Sequence, residues 1–549
     1  MIKDEWLQII SDGMIIHRIL AKHAVERPEA PAIQWQTERP VTYAELYEAT
    51  CRIAGNLRGM GVKADDRVLV MLPNSLEILY SWFAINLAGA VEVPINIHYK
   101  GAYLVHEAND CEARIAIVHS QYLDRFVETE ADLRFLERIV VVDGKAECSS
   151  SKWRFDSWED LQKQPAEGFL PVGRTVRDTQ AIMYTSGTTG PSKGVVMPYG
   201  LCNVFAAGVF YAGNLTEHDV SYVCLPLFHA NAQFMQVLPT LYVGGKVSVW
   251  PSFSASNWLK QIRDCGATVT NTLGVMCEFV FRQPRREDDA NNPLRVMITL
   301  PAPRDIAEEF ERRFGVKCLE GYGMTEMGVV TYRRWDEPLR AGSAGRALPW
   351  FDVRIVDAET DVPLGPNETG EIVVRPHFPW TFMKEYHKVP DKTVEAWRNL
   401  WFHTGDSGKM DEEGYLYFVD RLKDAIRRRG ENISSHMIEG IVNAHPLVEE
   451  SAAVAVPSDY GAGAEDEVKL CVVLKSGAKL SPQELLRYCE QNMPYFAVPR
   501  YIEYVEELPK TANQKIRKVA LRERGITEQT WDREKAGFSD RFRLKSQNR

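Results

Sequence analysis

No C-x-x-C pair joins any of the ten cysteines in this 549-residue sequence. Its start, Met1-Ile2-Lys3-Asp4-Glu5, also lacks the basic segment and long apolar stretch that mark a secretion signal. Both absences point to reduced thiols and a cytoplasmic chain. Long apolar runs are missing too: the most apolar window, Leu79 to Ile95, carries Ser81, Asn86 and Glu92 and breaks at Gly89 and Pro94. It reads as a buried helix feeding a strand, not as a membrane span. Positive charge is in deficit, with 65 Lys and Arg against 75 Asp and Glu for a net charge of -10. No global positive field then draws in phosphates, which argues against a general nucleic-acid or anionic-membrane partner. No tandem repeat or low-complexity tract breaks the pattern.

What is present has the texture of a folded soluble protein, 45% hydrophobic and 26% charged. This length exceeds one hydrophobic core, so at least two domains are expected. An amphipathic helix lies within His17 to Ile33, ending near Pro28 and Pro31, and Thr42 with Glu45 three residues on predicts a capped helix through Leu57. Strands are expected at Arg67 to Leu72, Ala90 to Pro94, Arg114 to His119 and Arg138 to Asp143, with a helix at Ser75 to Leu87. The pattern recurs in strand-like runs at Val220 to Pro226, Lys246 to Trp250, Thr268 to Leu273 and Leu294 to Thr299. Such alternation indicates α/β units with parallel strands, two of them packed side by side. From Ala341 to Tyr417 short strands and turns indicate a small β subdomain. Beyond a boundary at Asp420 to Asp424, helices at Ser435 to Asn443 and Pro482 to Asn492 and strands at Ala452 to Val456, Val468 to Leu474 and Tyr501 to Val505 form a compact α+β module. The expected division is therefore 1–422, 423–526 and a polar tail, 527–549, read as a solvated extension.

The chemistry concentrates first in Tyr184 to Gly194, Y-T-S-G-T-T-G-P-S-K-G, set between two apolar runs. Glycines let backbone N–H groups turn inward, the hydroxyls of Thr185, Ser186, Thr188 and Thr189 add donors, and Lys193 adds a cation. That composition suits a polyphosphate, with an ordinary Gly/Ser/Thr surface loop as the plain alternative. It is not a Walker loop, because Lys193 precedes Gly194 and leads into a strand. Further on, Gly321-Tyr322-Gly323-Met324-Thr325-Glu326 places an aromatic ring between glycines beside a hydroxyl and a carboxylate able to hold phosphate and Mg²⁺, although a turn with a surface glutamate reads equally well. In Trp401-Phe402-His403-Thr404-Gly405-Asp406 the aspartate is either a turn residue or a partner for ribose hydroxyls.

Taken in order, these runs resemble the adenylate-forming superfamily, which includes acyl-CoA synthetases, stand-alone adenylation domains and beetle luciferases. The resemblance extends from the N-terminal helix to Lys518. It implies that Thr185, Ser186, Gly187, Thr188, Thr189, Gly190 and Lys193 wrap the ATP phosphates, with Thr185 also in a catalytic role. Tyr322, its ring allowed to lie flat by Gly323 in the same cofactor-binding run, would stack on adenine, Thr325 would touch the α-phosphate, and Glu326 would ligate Mg²⁺. Asp406 would hold the ribose and Arg421 the ribose and phosphate, and Lys423 matches the hinge about which the small domain swings. Arg427-Arg428-Arg429-Gly430 resembles the pantetheine tunnel, where Gly430 would admit the thiol arm and Arg429 would meet CoA phosphate. Pro509 to Lys518 resembles a Pro-x-Thr-x-x-Gly-Lys loop, making Lys515 the cation that bridges the substrate carboxylate and the α-phosphate. His229 would stand near that carboxylate and the thiol path, or be a structural histidine at a strand end.

The implied activity is that of an acyl-CoA ligase: ATP, Mg²⁺ and CoA convert a carboxylic acid to an acyl-adenylate and then to a thioester. Small residues at Ala206, Ala207, Gly208, Ala230, Ala232 and Gly274, mixed with Phe and Met, predict a wide apolar cavity for a bulky apolar acid. Leu227 to Ala232 carries no Asp to receive an α-ammonium, which disfavours an amino acid. Phe228-His229, the helix ending at Phe310 to Phe314 and Gln491-Asn492-Met493 resemble carnitine-CoA ligase-like members in texture. Two departures stand out: Gln514 replaces the usual glycine before the lysine, and Leu300-Pro301-Ala302-Pro303 replaces a Gly-Gly-Ala-Pro turn beside adenine. Both touch the first half-reaction, so one alternative is an adenylation-impaired enzyme fed with adenylates by a separate partner. A luciferase-like oxygenase, a carrier-loading domain and a non-enzymatic nucleotide-binding module are the others.

Overall fold

Short Val, Ile and Leu runs buried on both faces build two large sheets. The computed structural model describes residues 11–538 apart from 100, 145–149, 151, 164, 166–167, 186–191, 303, 422–425, 429–430, 434, 458–465, 494–496 and 512–514. The first sheet runs, edge to edge, Arg154–Ser157, Arg138–Val142, Ile115–His119, Arg67–Met71, Val91–Pro94, Thr179–Thr185 and Lys193–Pro198. All neighbours are parallel except the last pair, which is a hairpin. The second, nine-stranded sheet centres on Val220–Val223, Val269–Thr272, Val296–Thr299 and Lys317–Met324, again parallel.

Two helices join the sheets into one core. Leu76–Leu87 is apolar all round and touches Pro31–Trp35 of one sheet and Arg67–Met71 and Val91–Pro94 of the other. Tyr199–Gly213 packs between the hairpin Thr179–Thr185 and Lys193–Pro198 and the strand Gly328–Tyr332. A third, helix Tyr43–Gly59, starts where the capping box places it: Glu45 N donates to Thr42 Oγ1 at 3.2 Å and Thr42 N to Glu45 Oε2 at 2.9 Å. Such a cap stabilises a helix by about 1 kcal/mol. A four-stranded antiparallel sheet, Phe351–Val356, Gly370–Pro376, Phe402–Met410 and Leu416–Arg421, forms the small β subdomain. The C-terminal α+β domain has its own core around Val448–Pro457, Asp466–Leu474 and Tyr501–Tyr504.

Four expectations need correction. The first helix is Ile16–Glu26 and Ile33 belongs to a strand, since Pro28 and Pro31 end the helix before that residue. The segment Gly321 to Met324 is no turn but the end of a strand, paired with Gly328–Tyr332; a Cβ at Gly323 would run into the Gly328 carbonyl. At Gly208 the small residue leaves no cavity, because a Cβ there would meet the Tyr332 ring at 2.8 Å. The tail is not solvated from residue 527: Trp531–Asp532 adds a strand to Tyr501–Tyr504, and buried Asp532 pairs with Arg500 at 3.3 Å. Residues 539–549 lie outside those described.

Candidate functional site

The hairpin Thr179–Thr185 and Lys193–Pro198 delivers both roots of the glycine-rich loop, with Thr185 opposite Lys193. Ser186, Gly187, Thr188, Thr189 and Gly190 lie outside the described residues. Thr185 Oγ1 donates to the Lys193 carbonyl at 3.4 Å. A third segment runs beside the hairpin: Lys384 N donates to Val196 O, Val196 N to Glu385 O, and His387 N to Gly194 O at 2.7 Å. It brings in Tyr386, which the sequence reading did not single out. The Lys193 ammonium sits 3.9 Å from the centroid of the Tyr386 ring, and the Tyr386 hydroxyl donates to Glu326 Oε1 at 2.8 Å. Burial, and then the Glu326 charge, pushes the Tyr386 hydroxyl up, so it stays protonated and keeps donating. Met383 N donates to the Glu326 carbonyl at 2.7 Å, which fixes the same residue from its backbone. Lys193, Tyr386, Glu326 and Thr185 thus form one group at the hairpin end.

The second group is built on Tyr322. Its hydroxyl donates to Asp406 Oδ2 at 2.7 Å, and its ring stacks on Phe418 at 6.1 Å and 27°. Backbone register sets Arg421 opposite Asp406 across the antiparallel pair. Asp406 follows Gly405 at φ +69°, a left-handed position that suits glycine. That turn is held by residues the sequence reading passed over. Glu371 Oε1 accepts from Gly405 N at 3.1 Å, while its Oε2 accepts from His403 Nδ1 and Arg398 Nη2, both at 2.9 Å. Asp361 completes a His/Asp/Glu cluster in which Arg398, bonded to both carboxylates, already supplies the cation. Two residues before Tyr322, Glu320 is buried and pushed up to about 8 by desolvation, against which the Ala302 N–H pulls down. Gly274 is pressed on the Pro301 carbonyl, which a Cβ would meet at 2.8 Å.

The remaining candidates make none of the contacts that define these two groups. His229 caps a short helix that runs into a π turn, Gln233–Val237, and its ring packs on Phe228 at 4.6 Å. Thr325 and Gly323 stand beside Tyr322, half-buried and exposed. Lys515 is exposed on a turn of the C-terminal domain, where Thr511 N donates to its carbonyl at 2.7 Å. Lys423, Arg429, Gly430 and Gln514 lie outside the described residues. Arg428 of the same run is buried, donates to the Val498 carbonyl at 2.8 Å and pairs with Glu467 at 2.8 Å. Among the described residues no helix is long and apolar enough to cross a membrane.

Oxygen donors dominate the first group. The Glu326 carboxylate and the Thr185 hydroxyl suit a hard divalent cation that keeps room for phosphate oxygens and water. The comparisons agree with this chemistry. Residues 20–387 match the family model described as AMP-binding enzyme, and residues 437–515 match the AMP-binding enzyme C-terminal domain. The chain is 32% identical over 491 residues to the crotonobetaine/carnitine–CoA ligase of Salmonella heidelberg (strain SL476), covering 88% of this chain and 93% of that one. In structure it is similar to ATP-bound MatB from Rhodopseudomonas palustris, with TM-score 0.82, 28% identity and coverage of 93% and 98%. It is also similar to the Bacillus subtilis o-succinylbenzoate CoA synthetase MenE in complex with ATP and magnesium ion, with TM-score 0.79, 26% identity and coverage of 91% and 98%. The chain therefore belongs to the AMP-binding enzyme family, in its AMP-forming acyl-CoA ligase branch that uses ATP, Mg²⁺ and CoA.

Proposed function

We propose that this ligase activates a bulky, largely apolar carboxylic acid that is not an amino acid, and that it performs both half-reactions itself in the cytoplasm. The observation that carries the nucleotide half is the convergence of Lys193, Tyr386 and Glu326 at one end of the phosphate-loop hairpin, together with the Tyr322–Asp406 pair. Lys193 and the loop donors hold the β- and γ-phosphates. Thr325 meets the α-phosphate, Tyr322, its ring backed by Phe418, lies against adenine, and Asp406 with Arg421 takes the ribose hydroxyls. Glu326 is the residue for Mg²⁺, which when bound neutralises phosphate charge. Lys515, presented when the C-terminal domain turns about Lys423, supplies the cation between carboxylate and α-phosphate. It leaves when CoA enters past Gly430 and Arg429.

Support for the acid class comes from Leu227 to Ala232, which offers no carboxylate, and from the apolar character of buried Phe205, Phe228, Phe234 and Met235, of which Phe228 packs on the His229 ring. The nine described cysteines are all free, in keeping with reduced thiols. A separate adenylating partner has no counterpart among the names of the similar proteins, and the adenylation-impaired reading rests on Gln514 and Pro301 alone. A panel of aliphatic, aromatic and betaine carboxylic acids tests both, scored for pyrophosphate release without CoA and for thioester formation from synthetic acyl-adenylates. An apolar acid should release pyrophosphate at about 1 to 10 per second. Thioester formation from adenylates with no pyrophosphate release from any acid would reverse the conclusion in favour of the impaired enzyme.

A further inference from the structure

Helix Ala102–Asp110 lies against the roots of the phosphate loop, and three of its side chains bond to them. The Tyr184 hydroxyl donates to Asp110 Oδ2 at 2.7 Å. Ser192 is held twice. His106 Nε2 lies 2.8 Å from the Ser192 carbonyl, an acceptor only, so the imidazole donates there, while the Ser192 hydroxyl donates to Glu107 Oε1 at 2.9 Å. The His106 ring also meets the Tyr184 ring edge-on at 6.2 Å. On the other side, His387 Nε2 and Lys388 Nζ donate to the Asp110 carbonyl, tying in the segment that carries Tyr386. Glu107 is 1% exposed. A carboxyl buried on a helix beside a loop hydroxyl needs a reason, because an apolar residue would pack there without the desolvation cost.

We propose that Glu107 is a positioning residue for the nucleotide phosphates: by accepting the Ser192 hydroxyl, with His106 and Asp110 beside it, it fixes the backbone from which Lys193 acts. This rests on reading Tyr184 to Gly194 as the phosphate loop. Glu107 touches no substrate and acts through Ser192, the residue directly before Lys193. Desolvation, opposed by the Ser192 bond and aided by Asp110, pushes its carboxyl up to about 8. The neutral acid accepts the hydroxyl without setting a negative charge beside the phosphates. Other ionisable groups facing this spot are His106 and Asp110 on the same helix, Cys111 and Glu112 after it, Tyr184 and Lys193 on the hairpin, and His387 and Lys388 on the returning segment. Ionisation of Glu107 adds a charge next to Asp110 and to the bound triphosphate, so ATP binding weakens as pH rises past about 8.

Calorimetric titration of the full chain with ATP and, separately, with AMP tests this without knowledge of the acid. Glu107→Val should weaken ATP about tenfold, the scale of one buried hydrogen bond, and change AMP, which lacks the β- and γ-phosphates, by less than about twofold. Glu107→Gln, the neutral isostere, should recover most of the loss near pH 7 and lack the alkaline weakening seen in the wild type between about pH 7 and about pH 9. Lys193→Ala separates the two readings, since it should lose ATP affinity whatever Glu107 does. Unchanged ATP binding in Lys193→Ala would remove the loop assignment. Loss in Lys193→Ala with none in Glu107→Val would overturn the positioning role alone. Equal loss of ATP and AMP in Glu107→Val, or a wild-type pH profile in Glu107→Gln, would overturn it as well.

Discussion

Glu92 sits in the middle of strand Val91–Pro94, fully buried between the two large sheets. Its Oε1 accepts from Gln233 Nε2 at 3.1 Å, and its Oε2 has no hydrogen-bond partner among the described residues. Burial pushes the carboxyl from 4.5 up to about 8, and the single Gln233 bond pulls back only part of that. Below pH 4.5 folded and unfolded chains both carry this proton, and the raised folded value does no harm. Between 4.5 and about 8 the folded chain holds one proton more than the unfolded one, so stability falls as pH rises across that window. At pH 7 the window has been crossed for about 2.5 pH units, a cost of about 3 kcal/mol. Glu92→Gln keeps an acceptor for Gln233 and has nothing to titrate. The variant should match the wild type near pH 4.5 and exceed it by about 3 kcal/mol at pH 7. Urea unfolding followed by tryptophan fluorescence at both pH values measures the difference, read on the first transition because a chain with several domains does not unfold in two states. Parallel pH dependence in the two proteins would refute the reasoning, and so would equal destabilisation of the variant at both values.

Two further predictions concern catalysis. Tyr386→Phe removes the hydroxyl that donates to Glu326 while keeping the ring under Lys193; Mg²⁺-dependent pyrophosphate release should fall about 10- to 100-fold, and an unaltered Mg²⁺ titration would take Tyr386 out of the site. Lys515→Ala should abolish adenylation and spare thioester formation from a supplied adenylate, because only the first step brings two anions together; equal loss in both half-reactions would argue against a swinging domain.

The parts of this molecule that could be read from sequence are those whose physics is local. Helix Pro482–Asn492 begins and ends where it was expected, since Ser481 and Glu484 form a reciprocal cap and Pro482 opens the first turn. Tyr322 to Glu326 and His403 to Asp406 could be singled out because neighbours in sequence share one turn or strand end. Tyr386 and Glu371 could not, for their roles come from pairing with segments far away in the chain. An aromatic cluster between two strands, Phe378 to Tyr386, was the only trace of the first. Small residues misled for a related reason: at Gly208 smallness admits the Tyr332 ring, and the sequence alone does not say whether a gap is filled.

Buried carboxylates carried a signal that was legible and underused. Glu92 interrupts Val91-Glu92-Val93, and the interruption counted only as evidence against a membrane span. Glu107 lies in Tyr103-Leu104-Val105-His106-Glu107-Ala108, where the helical period puts Leu104 and Ala108 on the buried face and Glu107 beside them. A carboxylate in such a place costs several kcal/mol unless it stays protonated or finds a donor. Glu92 has a single amide from Gln233, whereas Glu107 has the Ser192 hydroxyl next to Lys193. By the same linkage both carboxyls cost stability as pH rises from 4.5 toward about 8, and Glu107 alone adds a pH-dependent grip on ATP. The two glutamine variants separate them: Glu92→Gln should move the unfolding curve and leave the ATP profile alone, while Glu107→Gln should flatten the ATP profile above about pH 8.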